Sequence, residues 1–508
     1  MTQHEKLFES LPPTRLFFRC ALPSMISMAM LSLYTVADGI FVGRYVGPNA
    51  LAAVNLVMPL IMMSFALVDL VAVGSSVQIS IRLGEKNERA ANRIFSFCTG
   101  LIVALSCVIG LGGFFLAGPM VSLMGAEAEV TAMGAEYMQV YAVFAPVIMV
   151  FFAVDNYLRI CGRVRYSMIL NVVTALLNIV LDFLFLVVFR WGVAAAAAAS
   201  CLSIALGTVL GFLPFVMGRL PLRFVRGTIS ARQLGNILAN GSSEFFSSIA
   251  GSVMMVILNS VLLRLSGSMA VAAFSIVMYV DSIVGSLLFG MADSIQPAIS
   301  YNYGARRRDR MLALEKRVLL TGAAVSLAAL LWMQLGGQYV IPLFIQGDDP
   351  ALLEMSLRAM RLFSLSYLLG WAGTCLSSFF TALNRPGRSL ILAFSKTLVF
   401  PLACLAVLPA ALGLDGVWLT APAAGVLTAA LAVWFLTAVL RQERAQDRQE
   451  GEGDTPGVRP GPIIRKNRSC AQRSAGPVLM NHGGSRLLGN DGQGLIHGGE
   501  EVLDVLLC

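Results

Sequence analysis

The sequence predicts an all-α polytopic membrane protein: twelve transmembrane helices in two parallel six-helix repeats. Three observations carry that prediction. Of 508 residues, 57% are hydrophobic and 13% charged, where a soluble domain carries roughly a quarter charged residues, and the mean hydropathy is +0.76. The apolar residues fall into runs that reach the roughly 20 positions a bilayer crossing needs at about 1.5 Å rise per residue. The connections between runs alternate between strongly basic and nearly uncharged or acidic.

The first 15 residues are polar or mixed (His4, Glu5, Lys6, Glu9, Arg15). The run behind them, 16–43, is too long for a signal-peptide core and lacks a cleavage site, so it reads as a retained first span. The further runs are 50–77, 92–117, 131–159, 166–189, the alanine-rich 192–217, 234–264, 269–299, 313–337, 351–383, 389–412 and 416–440. Every second connection is basic: Arg82, Lys86, Arg89 and Arg93; Arg159, Arg163 and Arg165; Arg219, Arg223, Arg226 and Arg232; Arg306, Arg307, Arg308 and Arg310; Arg385 and Arg388. The others hold one arginine (Arg44, Arg190, Arg264) or acids alone, such as Glu127, Glu129, Asp348, Asp349 and Asp415. Basic connections stay cytoplasmic, which puts both termini in the cytoplasm. The same rule accounts for the net charge of +8, so nucleic-acid binding is not expected. Pro23, Pro59, Pro146, Pro297, Pro401 and Pro422 lie inside spans, where each removes a backbone hydrogen bond and marks a place to bend.

Domain organisation follows from the same pattern. A shift of 220 positions lays Gly47, Ala50, Ala52 and Ala53 on Gly267, Ala270, Ala272 and Ala273, and Ile79, Ser80 and Gly84 on Ile299, Ser300 and Gly304. The offset drifts to 222 at Gly125 and Gly347 and to 224 at Gly192 and Gly416. Six spans per repeat leave both halves in one orientation, with a pseudo-axis along the membrane normal, as in some secondary transporters. The expected divisions are an N-terminal lobe at 1–217, a cytoplasmic linker at 218–233, a C-terminal lobe at 234–440 and a cytoplasmic tail at 441–508. The tail's Gly, Arg, Asp, Gln and Pro composition predicts disorder.

Function classes narrow quickly. The nine cysteines form no CxxC pair, and no phosphate-cradling GxxxxGK[ST] motif is present, so neither a zinc site nor direct use of ATP is indicated. No nucleophile or metal-ligand constellation points to an enzyme. Ionisable side chains inside spans are costly, and each is therefore a functional candidate: Asp38, Asp69, Asp182, Glu244, Asp281, Asp293 and Lys396. His4, His482 and His497 all lie outside the spans, so proton chemistry in the membrane would run through carboxylates. Asp38 and Asp182 both fall in the outer half of the first repeat, and Asn178, four residues before Asp182, shares its helix face. Glu244, in NGSSEFFSS, is the best carboxylate candidate of the second repeat; Asp281 and Asp293 are too far apart for one site, and Asp69 has no evident partner. Lys396, near the cytoplasmic end of its span, reads as a snorkelling side chain. Most methionines and aromatics read as core or lipid-facing.

Several segments resemble the multidrug and toxic compound extrusion (MATE) family: PSMISMAMLSLYTVADGIFVGRYVGPNALAAV from Pro23, QISIRLGEKNERAA from Gln78, YLRICGRVR from Tyr157, NIVLDFLF from Asn178 and QPAISYNYGARRRDR from Gln296. With the spans and the repeat, the resemblance covers about 1–440. It implies a V-shaped pair of lobes in a bacterial inner membrane, a monomer, and efflux of drugs or organic cations in exchange for protons or sodium, with no cofactor. In prokaryotic members an Asp on the first helix, with an Asn and an Asp on the fifth, forms a cation site, which maps to Asp38, Asn178 and Asp182. The resemblance likewise makes Glu244 and Lys396 candidates for coupling or substrate contact in the second lobe, although GSSEFF departs from the family's proline-bearing pattern, and Asp281 joins them as an acid inside a span. The rival is a flippase for lipid-linked oligosaccharides, whose cavity is usually strongly cationic; here acids outnumber bases inside the spans.

Overall fold

The computed structural model describes residues 6–123, 127–344 and 349–453, and among these there are helices and turns but no strand. His4, His482, His497, Cys470, Cys508, Gly125, Gly347, Asp348 and the tail from 454 lie outside them. The first half holds α1 (Pro13–Phe41, prolonged by a π-turn at Val42–Val46), α2 (Pro48–Gly84), α3 (Glu88–Ser122), α4 (Ala128–Ile160), α5 (Val164–Asp182, prolonged by Phe183–Val188) and α6 (Val193–Val216). The second opens on a 74-residue helix, Ala231–Gly304, that breaks at Ser266 and Gly267 into α7 (231–265) and α8 (268–304). Then follow α9 (Arg308–Val340), α10 (Pro350–Ser364 and Gly370–Ala382, bent by 43°), α11 (Pro386–Phe394, a π-turn at Ser395–Val399, and Phe400–Leu412) and α12 (Leu414–Trp418 and Thr420–Gly453). Counting the broken helix as two crossings and the bent pair as one gives twelve.

Each expected span is recovered, most of them lengthened at one or both ends, whereas 192–217 is shortened to Val193–Val216. Pro13, Pro48, Pro350 and Pro386 open helices, where the missing N–H costs nothing. Asn87, Ser230 and Asp349 accept from the backbone N–H three residues on, Ser230 within a full capping box with Gln233. The π-turn of α11 lies just before Pro401, which has no N–H to continue the regular ladder. Two details depart from the sequence reading. Arg159 belongs to no connection: it lies within α4 and is 3% exposed. The last helix continues through 441–453, past the expected start of the tail.

The repeat is visible in backbone geometry. Lys86, Gly162, Arg306 and Asn384 all take positive φ (59°, 77°, 57° and 54°). At each, the N–H bonds to the carbonyl three residues back, and the next N–H to the carbonyl five back: Asn87 to Arg82, Arg163 to Leu158, Arg307 to Asn302, Arg385 to Phe380. These are four copies of one helix-ending motif. They pair at offsets of 220 and 222, and all sit on the face carrying the arginine-rich connections, here termed the basic side.

On that side the halves close on each other. A Cβ added at Gly84 would lie 2.1 Å from the Tyr301 carbonyl oxygen, and one at Gly304 2.2 Å from that of Ile81. Both the glycines and the carbonyls are 220 positions apart, so the pseudo-axis runs through this crossing of α2 and α8. Gly241 abuts the Leu70 carbonyl and Gly74 that of Ile237 in the same manner, joining α2 to α7. Only residues without a side chain permit such approach. Gln78 Nε2 also donates to Asn384 Oδ1 (2.7 Å), and the Ser32 and Ser286 hydroxyls pair at 3.0 Å about halfway along α1.

The segment before α1 fastens this closure. Glu9 Oε1 accepts from Lys86 Nζ of the first half (2.5 Å) and from Tyr301 Oη of the second (2.7 Å), while Arg310 Nη2 donates to the Phe8 and Leu11 carbonyls. Burial pushes the Glu9 carboxyl up, but the bonds from Lys86 and Tyr301 and the charges of Lys86 and Arg307 outweigh it and hold the group below its usual value. A lowered folded value means that the tether is complete above the unfolded value, about 4.3, and is lost only as pH falls through the lowered one. It therefore stays fastened across roughly pH 5 to 8. Glu9→Gln should release it at neutral pH, read as amide exchange in residues 7–12 faster by about fivefold, for a contribution near 1 kcal/mol. The wild type should show that release only below about pH 4.

Candidate functional site

The first half brings the predicted triad together. α1 packs against α5, and Asp38, Asn178 and Asp182 are 7%, 1% and 0% exposed. The Asp38 and Asp182 carboxylates lie close enough to interact, and Tyr34 and Tyr137 border them. Asn178 Nδ2 donates to Ser200 Oγ on α6 (2.9 Å), which engages the amide nitrogen and leaves the amide oxygen to accept. Asp38 Oδ1, Asn178 Oδ1 and both oxygens of Asp182 are then buried acceptors with no hydrogen-bond partner among the described residues. Four acceptor oxygens and no donor, two of the groups being carboxylates, form a site whose complement is a cation. Hard oxygen donors of this kind suit a proton or an alkali ion and not a soft transition metal.

The second-half candidates are arranged differently. Lys396, in the π-turn of α11, does not snorkel: its Nζ donates to Thr374 Oγ1 of α10 (2.8 Å), and its stem packs at Gly373. The π-turn widens the helix there and directs the side chain inward. Glu244 and Asp281 both lie within electrostatic reach of Lys396, and Asp281 Oδ1 accepts from Tyr367 Oη (2.6 Å). The group is thus two acids around one base, already partnered in part. Asp69 of α2 lies within electrostatic reach of Glu244 and Asp293, on the other side of the seam.

Asp155 and Glu315 escaped the sequence reading, as did the pairing of Arg159 with Asp293. Asp155 of α4 and Asp293 of α8 both bind Arg159, forming a buried ion triad between the halves. An acid and an arginine four residues apart signal a helical pair, yet Arg159 stands so near the end of its run that it read as a topology marker. Glu315 of α9 is 1% exposed, and its Oε1 has no hydrogen-bond partner among the described residues. Tyr34, Phe151, Phe152, Asp155, Asn171 and Thr174 line a recess in the first half, of about 550 Å³ with its open mouth.

A family model described as MatE matches residues 23–184 and 245–405, one segment in each half. The chain is 24% identical over 446 residues to the multidrug export protein MepA of Staphylococcus aureus (strain bovine RF122 / ET3-1), covering 87% of this chain and 97% of that protein. The fold is similar to the crystal structure of MATE in complex with MaL6, with a TM-score of 0.83 at 26% identity, over 88% of this chain and all of the other. It is also similar to the outward-facing conformation of a multidrug resistance MATE family transporter of the MOP superfamily, with a TM-score of 0.80 at 25% identity, over 88% and 99% of the two chains.

Proposed function

The chain belongs to the MatE family of multi-pass membrane transporters, and from that premise we propose that it exports drugs or organic cations in exchange for protons or sodium. The observation that carries the reading is the cluster of four unpartnered, buried acceptor oxygens on Asp38, Asn178 and Asp182. An incoming cation satisfies them, and its presence or absence biases which side the cavity opens to. Protons and sodium ions fit the same oxygens, so both remain as the coupling ion. The balance of charge supports a cationic cargo: Asp38, Asp69, Asp155, Asp182, Glu244, Asp281, Asp293 and Glu315 stand against Arg159 and Lys396. A lipid pyrophosphate would meet repulsion from most of these groups.

In this reading the chain works as a monomer in a bacterial inner membrane, with its basic side cytoplasmic and both termini there, and it requires lipid but no cofactor or nucleic acid. The lobes 1–217 and 234–440 move as bodies about the linker at 218–233, and the structure corresponds to the state closed towards the cytoplasm. The energetics suffice. One charge moved through 100 mV releases about 2.3 kcal/mol, and about 1.4 kcal/mol accompanies each tenfold ratio, so one ion sustains on the order of a 50-fold gradient of a neutral drug. The test is accumulation of a fluorescent organic cation in a host lacking its own pumps. Expression should lower accumulation severalfold, and either a protonophore or removal of sodium should abolish the difference. Export that survives both treatments would overturn the reading.

A further inference from the structure

We propose that Asp155 and Arg159 are positioning residues through which the cation site on α5 controls the closure of the two halves. The inference rests on the antiport reading above and adds to it the path by which ion binding reaches the basic side.

A chain of polar contacts runs from α5 to α8, and helix α5 itself spans the remaining distance to the cation site. Asp155 Oδ1 accepts from Ser167 Oγ and from Asn171 Nδ2 (2.9 Å), both on α5. Its other oxygen, Oδ2, accepts from Arg159 Nη2, and Arg159 Nη1 donates to Asp293 Oδ2 on α8, in the other half. Each oxygen of Asp155 thus serves one neighbour, α5 on one side and the inter-half arginine on the other. Ser167, Asn171, Asn178 and Asp182 recur at helical spacing on one face of α5, with Asp182 about 22 Å along the axis from Ser167. The recess continues between these points: Asn171, Asp155 and Arg159 line it together with Tyr34, which borders Asp38 and Asp182.

The triad is suited to two arrangements and not to a continuum. Arg159 is 3% exposed, so its guanidinium cannot exchange a carboxylate for bulk water by degrees; it is held by Asp293, or the halves part and Asp293 is left to solvent. Two carboxylates share one arginine, so a shift of α5 that alters the hold of Ser167 and Asn171 on Asp155 changes how strongly Arg159 is drawn away from Asp293. Asp155 is the branch point. A change in α5 is felt at α8 through it, across the closed seam.

Two substitutions separate the two links. Asp293→Asn removes the charge of the inter-half link, leaving at most a neutral hydrogen bond, and keeps the pair within the first half; Asp155→Asn keeps Arg159 with Asp293 and replaces one of the two acceptor oxygens of the branch point by a donor, which uncouples α5 from the arginine. Spin labels at Arg89→Cys and Asp309→Cys, both exposed on the basic side, report the separation of the halves in liposomes as pH or sodium is varied. In Asp293→Asn the long-distance population should rise at least fivefold under every condition. In Asp155→Asn the closed distance should persist and its response to the coupling ion should vanish, with the maximal rate of export down at least tenfold. Asp155→Glu should restore part of the response, which a purely structural role would not predict. Wild-type distance changes in both variants, or one shared loss of folding without these opposite signatures, would overturn the proposal; should Asp293→Asn not fold, Asp293→Glu, with a lengthened link, is to be read for a smaller rise of the same sign. A wild-type protein that ignores both protons and sodium would instead refute the antiport reading, and the Asp293→Asn distances would still decide the role of the lock.

Discussion

Asp182→Asn should reduce cation-driven export to background while leaving expression and monodispersity intact. Asp182 is 0% exposed and supplies two of the four unpartnered acceptor oxygens. The amide keeps the shape but replaces one of those oxygens by a donor and removes the charge, so a proton has no carboxylate to occupy and a sodium ion meets N–H groups. Contacts to a charged group contribute about 1.5–3 kcal/mol each, so losing even one weakens cation binding by roughly 10- to 150-fold. Ser200→Ala is the graded comparison: it removes only the bond that orients Asn178, and should cost about fivefold, for a neutral hydrogen bond near 1 kcal/mol. Efflux from proteoliposomes with an imposed proton or sodium gradient reads both. Full activity in Asp182→Asn would remove the proposed site, whereas equal losses in both variants would mean that Asn178 and not the carboxylate dominates.

The unequal legibility of these residues has a physical origin. Spans were readable because hydrocarbon admits few charges, a constraint that acts on composition directly. Asp38 and Asp182 were readable because an acid inside an apolar span is costly, and Asn178 because four residues make about one helical turn. Arg159 was not, since an arginine at a helix end is ordinarily a topology signal; only the packing of α4 against α8 shows that it is buried between two acids. Lys396 misled for a related reason. Its distance from the helix end allows snorkelling, and the inward direction comes from the π-turn at Ser395–Val399 and from Thr374 on a neighbouring helix. Glu9 gave no signal at all, because its partners lie 77 and 292 positions away.

The glycines of the seam belong between these cases. The offset of 220 paired Gly84 with Gly304 from the sequence, but their purpose emerges from the crossing of α2 and α8, and it yields the second large expected effect. Gly84→Val should hold the basic side open. The first added carbon would stand 2.1 Å from the Tyr301 carbonyl oxygen, where ordinary contact begins near 3.4 Å, so the backbones must part by about 1.3 Å. The obstacle is main chain on both sides, and no rotamer relieves it. Because the two halves are packed bodies, a separation forced at the axis cannot be absorbed locally and opens the whole basic face, including the Gln78–Asn384 and Glu9 contacts. Export should fall to background, while drug binding to purified protein stays within a fewfold of wild type and labels on the basic side report the long distance. Gly304→Val should reproduce the phenotype, since Ile81 presents the same obstacle at 2.2 Å; Gly39→Ala and Gly100→Ala, with nothing within 4 Å of the added carbon, should leave export unchanged. A Gly84→Val protein that still closes and exports would show that the crossing of α2 and α8 is not where the halves seal.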